Sequence, residues 1–194
     1  MTDQIKRHEI HGERAWLREF RVSDAEPLWQ SLKDPDHISN KLTGTHEQFT
    51  REQVEGYVAN QVGNPHADRA AFIICPAGDD RAVGEVIINQ YDAPNRSASI
   101  RIALFDEADF NKGYGTTAMR LMIGYGFERF DLHRLELEVY AFNPRAIRVY
   151  EKIGFRREGV RRDALYWDGE YIDAIVMSVL APEWAAQDQA SSTP

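Results

Sequence analysis

Residues 110–118, Phe-Asn-Lys-Gly-Tyr-Gly-Thr-Thr-Ala, set two glycines between an extended apolar run and an amphipathic stretch, the arrangement of a turn that feeds a helix. Backbone N–H groups at a helix N-terminus lack intrahelical partners and lie at the positive end of the dipole, so this turn is a cradle for a phosphate. Gly113 and Gly115 are expected to let the backbone approach the anion. Further on, Asn143, Ala146, Ile147 and Tyr150 are spaced i, i+3, i+4, i+7, which puts an amide and a phenol on one stripe of a second helix.

Both features need elements to hold them. Arg14–Phe20 reads as an opening strand, and Ser23-Asp24-Ala25-Glu26 as a capping box that starts a helix running to Lys33. Asp34-Pro35-Asp36 breaks that helix, and Thr50–Gln61 predicts another, with Val54, Tyr57, Val58 and Gln61 near one face. The segment between them is expected to be mobile. Ala71–Ile74 and Val83–Ile88, split by Pro76-Ala77-Gly78-Asp79-Asp80, predict a hairpin, and a third strand from Ser97 to Phe105 ends just upstream of the cradle. Thr116–Phe130 carries a wide apolar face and predicts a largely buried helix, while Leu135, Leu137 and Val139 alternate with polar residues as in a strand. Pro144 at a first-turn position and Gly154 at a C-cap bracket the second helix, which Asn143 caps. Gly159–Tyr166 and Tyr171–Leu180, turned by Trp167-Asp168-Gly169-Glu170, predict a final hairpin.

The fold class is α/β in the α+β sense, with one domain over residues 1–182 and an Ala/Gln/Ser tail, 183–194, expected to be disordered. A chain of 194 residues, 43% of them hydrophobic, has enough apolar material for one core but no room for a second full domain. The formal charge of −8 argues against a nucleic-acid surface and suits a cationic small molecule or peptide. The single cysteine, Cys75, excludes an intramolecular disulfide, and the six histidines show no zinc-binding spacing, so no metal is expected. Met1–Lys6 lacks the apolar segment of a signal peptide and no apolar run approaches membrane-spanning length, so a cytoplasmic location without membrane contact is expected.

Two fingerprints compete for the loop. Gly113-Tyr114-Gly115-Thr116-Thr117-Ala118 fits G-x-G-x-x-A, and Glu138 lies 20 residues past Ala118, where a nicotinamide-dinucleotide oxidoreductase keeps its ribose-binding acid. Its place in the chain argues against this, because a dinucleotide fold builds several more βα units after the fingerprint. The loop together with the second helix resembles the GNAT superfamily of acetyl-CoA-dependent N-acetyltransferases instead. Lys112-Gly113-Tyr114-Gly115-Thr116 is similar to its pyrophosphate loop, and Asn143 to Phe155 is similar to its N-x-x-A-x-x-x-Y-x-x-x-G-F segment. The resemblance runs from about residue 14 to 182, and Arg156–Met177 resembles the branch of ribosomal-protein N-terminal and polyamine acetyltransferases.

This resemblance implies a central mixed, mostly antiparallel sheet flanked by helices and an acetyl-CoA cosubstrate. Coenzyme contacts are implied for Phe105, Asn111, Lys112, Gly113, Tyr114, Gly115, Thr116 and Thr117 around the loop, and for Asn143, Ala146 and Arg148 on the second helix. Tyr150 is implied as the acid, since a phenol near pKa 10 can protonate a departing thiolate of pKa about 8.5 or hydrogen-bond to it. The general base is less marked: relatives often carry a glutamate where this chain has Ser99 and Ile100, which leaves Glu138, acting through water, and secondarily Glu85. Phe110 stands where the family loop often begins with Gln or Arg, removing a donor whose charge-assisted bond is worth about 1.5–3 kcal/mol. That departure, with the missing glutamate, motivates an alternative in which the chain is a coenzyme-binding sensor without catalysis. The resemblance implies a primary-amine acceptor, with peptide N-terminus, polyamine and aminoglycoside open. Glu26, Asp34, Asp36, Glu47, Glu52 and Glu55 are expected to make its entry acidic, and edge strands near the C-terminus to support a homodimer.

Overall fold

Runs of β-branched and aromatic residues become the strands of a single eight-stranded sheet in the computed structural model, which describes residues 9–63 and 68–191. The strands are β1 (Glu9–His11), β2 (Ala15–Arg18), β3 (Ala70–Pro76), β4 (Gly84–Asp92), β5 (Ser97–Leu104), β6 (Arg134–Tyr140), β7 (Arg156–Trp167) and β8 (Glu170–Leu180), in the order β1-β2-β3-β4-β5-β6-β8-β7. Every neighbouring pair is antiparallel except β5 and β6, which are parallel because a crossover helix joins them. The mixed, mostly antiparallel sheet flanked by helices is therefore the architecture observed.

Strands β5 and β6 share only the pairs Ser97–Arg134, Ala98–Leu135 and Ser99–Glu136. Beyond these, β5 stays on β4 as far as Leu104 and β6 stays on β8 as far as Tyr140, so the two facing edges part into a V.

Helices α1 (Ala25–Leu32), α2 (Ile38–Thr43), α3 (Arg51–Gln61), α4 (Tyr114–Phe130), α5 (Pro144–Ile153) and α6 (Ala181–Ser191) cover the sheet. On one face Met119, Met122 and Ile123 of α4 and Ile147 and Ile153 of α5 pack on Val86, Ile88, Ile100, Leu135 and Met177. On the other, Leu28 of α1 and Val54 and Val58 of α3 pack on Phe20, Ile73, Cys75 and Phe105. Each fully buried aliphatic side chain contributes about 1.5–3 kcal/mol, so both helix pairs are held chiefly by these contacts.

Three local expectations are corrected. The first helix is not capped by Ser23 and Glu26: a 3-10 turn over Val22–Asp24 precedes it, and Asp24 accepts the Arg21 amide at 2.7 Å. Glu26 instead pairs with Gln30 and Arg51 at 2.6 and 2.5 Å, because the Arg51 head reaches it from α3. The linker expected to be mobile contains α2, whose first turn is capped by His37 and which ends at Gly44 with φ 66°. Glu183 of the tail accepts the Leu180 amide and Trp184 packs on Phe127, so α6 forms where disorder was expected; residues 192–194 lie outside the described residues.

Asp24 also holds Arg18 bidentately, at 2.8 Å through both nitrogens, with both side chains almost wholly buried. Removing one partner of a buried pair strands the other charge in a low-dielectric site. Asp24→Ala is accordingly expected to destabilise the fold by about 3–5 kcal/mol, read as a lower urea midpoint.

Candidate active site

The cradle turn is pinned from behind. Asp109, buried at 3% exposure, accepts both Arg81 Nη1 and Nη2 at 2.8 and 3.0 Å and Lys112 Nζ at 3.0 Å. The Arg81 bonds, with help from Lys112, hold the Asp109 carboxyl below its usual pKa. Asn111 and Gly113 then turn with positive φ, 61° and 87°, and α4 starts. The Thr117 amide bonds the Gly113 carbonyl at 3.0 Å, which leaves the amides of Gly113, Tyr114, Gly115 and Thr116 as the helix-end donors.

These residues border a cleft of about 940 Å³ that follows the V between β5 and β6. Its walls include Ile100–Phe105 on one edge and Leu137–Tyr140 on the other, and α5 adds Asn143, Arg145, Ala146, Val149 and Tyr150. Asn143 Oδ1 accepts the Ala146 amide at 3.1 Å, so the side chain does cap α5. Arg145 lies over the Phe110 ring with its guanidinium carbon 4.1 Å from the centroid. A cation is thereby returned to the loop position where Phe110 removed one.

Tyr150 points its phenol into the same space, and among the described residues its hydroxyl has no hydrogen-bond partner. Burial pushes its pKa up to about 12, against the pull of Arg145, so the phenol stays protonated as a donor. Across the cleft, Glu85 of β4 is 8% exposed. Its Oε2 accepts the Tyr57 hydroxyl at 3.0 Å and its Oε1 lies 3.5 Å from Arg101 Nη2. Burial raises the Glu85 pKa, and Arg101, the Tyr57 bond and Arg69 only partly oppose it. Glu138 lines the cleft too, but it is open to solvent and both its oxygens are held by Arg161 Nη1, at 2.5 and 2.6 Å.

The structure brings together Phe105, Asn111, Gly113, Tyr114, Gly115, Thr116, Asn143, Ala146, Tyr150 and Glu138 on one cleft, and leaves three expected residues off it. Lys112 is turned back onto Asp109, Thr117 packs its methyl toward Gly12, and Arg148 is exposed on the outer side of α5. Phe105 contributes an apolar wall, its amide being used by the Val83 carbonyl. Gly113 is required by its positive φ and by Arg14, whose Cδ would lie 2.7 Å from an added Cβ, whereas a Cβ on Gly115 meets nothing closer than 3.7 Å. Sequence reasoning missed Asp109, whose partner Arg81 is distant in the chain.

The roof is formed by α1, α2 and α3, whose cleft-facing residues are Leu28, Ser31, Leu32, Ser39, Leu42, Thr43, Thr45, Phe49, Gln53, Val54 and Tyr57. None of the six acidic residues expected to line the entry faces the cleft; they lie on the outer, solvated surfaces of their elements. The roof is tied down across the V by Gly44, which packs on the Tyr140 ring, by Lys41 on Asp168 at 3.2 Å and by His46 stacked on Trp167 at 4.8 Å.

A family model described as an acetyltransferase (GNAT) domain matches residues 14–156. A probable N-acetyltransferase, YjcK, of Bacillus subtilis is 35% identical over 177 residues, covering 90% of this chain and 98% of that protein. Among solved structures, a GNAT-family acetyltransferase from Bacillus anthracis superposes with TM-score 0.75 at 28% identity, covering 91% of this chain and all of the other. A spermidine N-acetyltransferase from Vibrio cholerae, solved in complex with CoA and spermine, shares the fold with TM-score 0.77 at 21% identity, over 88% of this chain and 98% of that one.

Forcing a side chain onto left-handed backbone costs about 1–2 kcal/mol, close to a factor of ten in a binding constant. Gly113→Ala should weaken acetyl-CoA binding about tenfold in calorimetric titration, while Gly115→Ala leaves the melting temperature unchanged.

Proposed function

Because the chain belongs to the GNAT acetyltransferase family and is an acetyl-CoA-dependent N-acetyltransferase, we propose that its acceptor is a singly charged α-amine rather than a polyamine, with Glu85 as the base and Tyr150 as the donor to the leaving sulfur. The observation that carries the acceptor reading is charge balance. Each carboxylate on the cleft already has a cation: Glu85 has Arg101, Asp109 has Arg81 and Lys112, Glu136 has Arg134, and Glu138 has Arg161. A polyamine brings several positive charges and needs unpaired acids to receive them. The roof supplies apolar and neutral polar groups instead.

Bound acetyl-CoA supplies an acetyl group activated as a thioester. For its diphosphate this chain offers the amides of Gly113–Thr116 and the guanidinium of Arg145, and the open edges of β5 and β6 offer backbone groups to the pantetheine arm. Deprotonating an amine at pH 7 costs about 1 kcal/mol for a peptide α-amine near pKa 7.7–8.0 and roughly 4.6 for an alkyl amine near 10.4, with a free α-amino acid between them because its own carboxylate stabilises the ammonium. Glu85 takes that proton as the N–C bond forms and the C–S bond breaks; its raised pKa makes it a stronger base than a solvated carboxylate. Glu138, saturated by Arg161 and in water, is the weaker candidate. Full protonation of a thiolate of pKa about 8.5 by a phenol near 12 is uphill by about 5 kcal/mol, so Tyr150 acts by donating a hydrogen bond. Along the outer edge, β7 has Arg156–Asp163 all exposed, and Val160, Tyr166 and Tyr171 stay open at 54%, 54% and 67%, which supports the expected homodimer.

Glu85→Gln should lower kcat/KM by about 10²–10⁴-fold and remove an acid limb that lies above the ordinary carboxylate range. That limb has activity falling as pH drops and Glu85 gains its proton, and a pH–rate profile reads it. Tyr150→Phe should lower kcat at least tenfold with the acetyl-CoA dissociation constant unchanged. Coenzyme binding with no thiol release from any amine would favour the sensor alternative.

A further inference from the structure

One cation at the acceptor end, Arg101, is held only loosely by its partner Glu85. We propose that Arg101 anchors a carboxylate of the acceptor, so that the substrate is a free α-amino acid with an apolar side chain, its amine on Glu85 and its carboxylate on Arg101; this rests on the N-acetyltransferase reading above.

Arg101 stands on β5 and Glu85 on the adjoining strand β4, on the same face of the sheet under the roof. The Glu85 side chain is 10% exposed and the Arg101 side chain 60% exposed, so the carboxylate is the floor of the site and the guanidinium its open lip. Their contact is loose, at 3.5 Å through Nη2 alone, and among the described residues Arg101 has no other hydrogen-bond or ionic partner. Its free Nη1, with the loosely held Nη2, presents the end-on donor fork that takes a carboxylate.

The spacing fits. In an α-amino acid the ammonium nitrogen and a carboxylate oxygen are about 3 Å apart by ordinary bond lengths, close to the 3.5 Å between Glu85 Oε1 and Arg101 Nη2. The zwitterion therefore lies antiparallel to the protein pair, each charge against its opposite. It also enters with no net charge, which a cleft of already matched charges accepts without an orphaned ion. Its side chain meets Leu28, Leu32, Leu42, Phe49 and Val54. Once Arg101 turns to the substrate it offsets the burial of Glu85 less, and the base strengthens as the acceptor arrives.

The test is thiol release from acetyl-CoA with L-leucine, L-leucinamide, a leucine-initiated tripeptide and spermidine as acceptors. Leucine should exceed leucinamide at least tenfold in kcat/KM, although removing the neighbouring carboxylate by itself eases loss of the amine proton. Arg101→Gln should abolish that preference with the KM for acetyl-CoA unchanged, and Arg101→Lys should retain part of it. Leucinamide, the peptide or spermidine equal to or better than leucine would overturn the inference and leave the enzyme reading standing, as would an unchanged ratio in Arg101→Gln. Thiol release with none of the four would overturn both.

Discussion

Parting of two parallel strands is the constraint on which the rest of this structure depends. Backbone N–H and C=O groups inside a protein are almost always paired, and β5 and β6 pair for three residues before they separate. Each keeps its other neighbour, so the sheet does not fray; it opens along one line and leaves two strand edges facing a cleft. The crossover helix α4 starts at the mouth of that opening and therefore brings its free amides to the same place. Loop, strand edges and the α5 stripe converge because of this topology and not through any one residue.

Charge is handled in a consistent way around the opening. Cations and anions meet as pairs whose burial differs, the inner member fixed and the outer one reachable, as in Asp109 with Arg81 and Glu85 with Arg101. Such pairs hold geometry without presenting a net field, and the proposal of a single small acceptor rests on that balance. The roof adds shape and apolar area, and its ties to Tyr140, Asp168 and Trp167 bridge the two halves of the divided sheet.

Much of this was legible in the chain. Local signals carried furthest: the hairpin of β3 and β4, the Asn143 cap, Pro144 and Gly154 around α5, and the glycine turn before α4 each depend on neighbours within a few residues. What escaped reading depends on distant partners. Asp109 finds Arg81 across 28 positions and Arg18 finds Asp80 across 62, distances at which periodicity carries no information. Helix α2 escaped because six residues are too few for a periodic pattern, and α6 because an Ala/Gln stretch is helical only once Trp184 has somewhere to pack. Glu85 was ranked below Glu138 because alternation in a strand says which residues share a face but not which carboxylate a roof will cover.

Amide chemical-shift mapping during titration with coenzyme A tests the central claim most directly, since it reports each backbone group separately in the folded chain. The account predicts the largest changes at Gly113–Thr116, with further changes confined to Ile100–Leu104 and Leu137–Tyr140. Changes centred elsewhere on the sheet, with the turn after Lys112 unmoved, would contradict it.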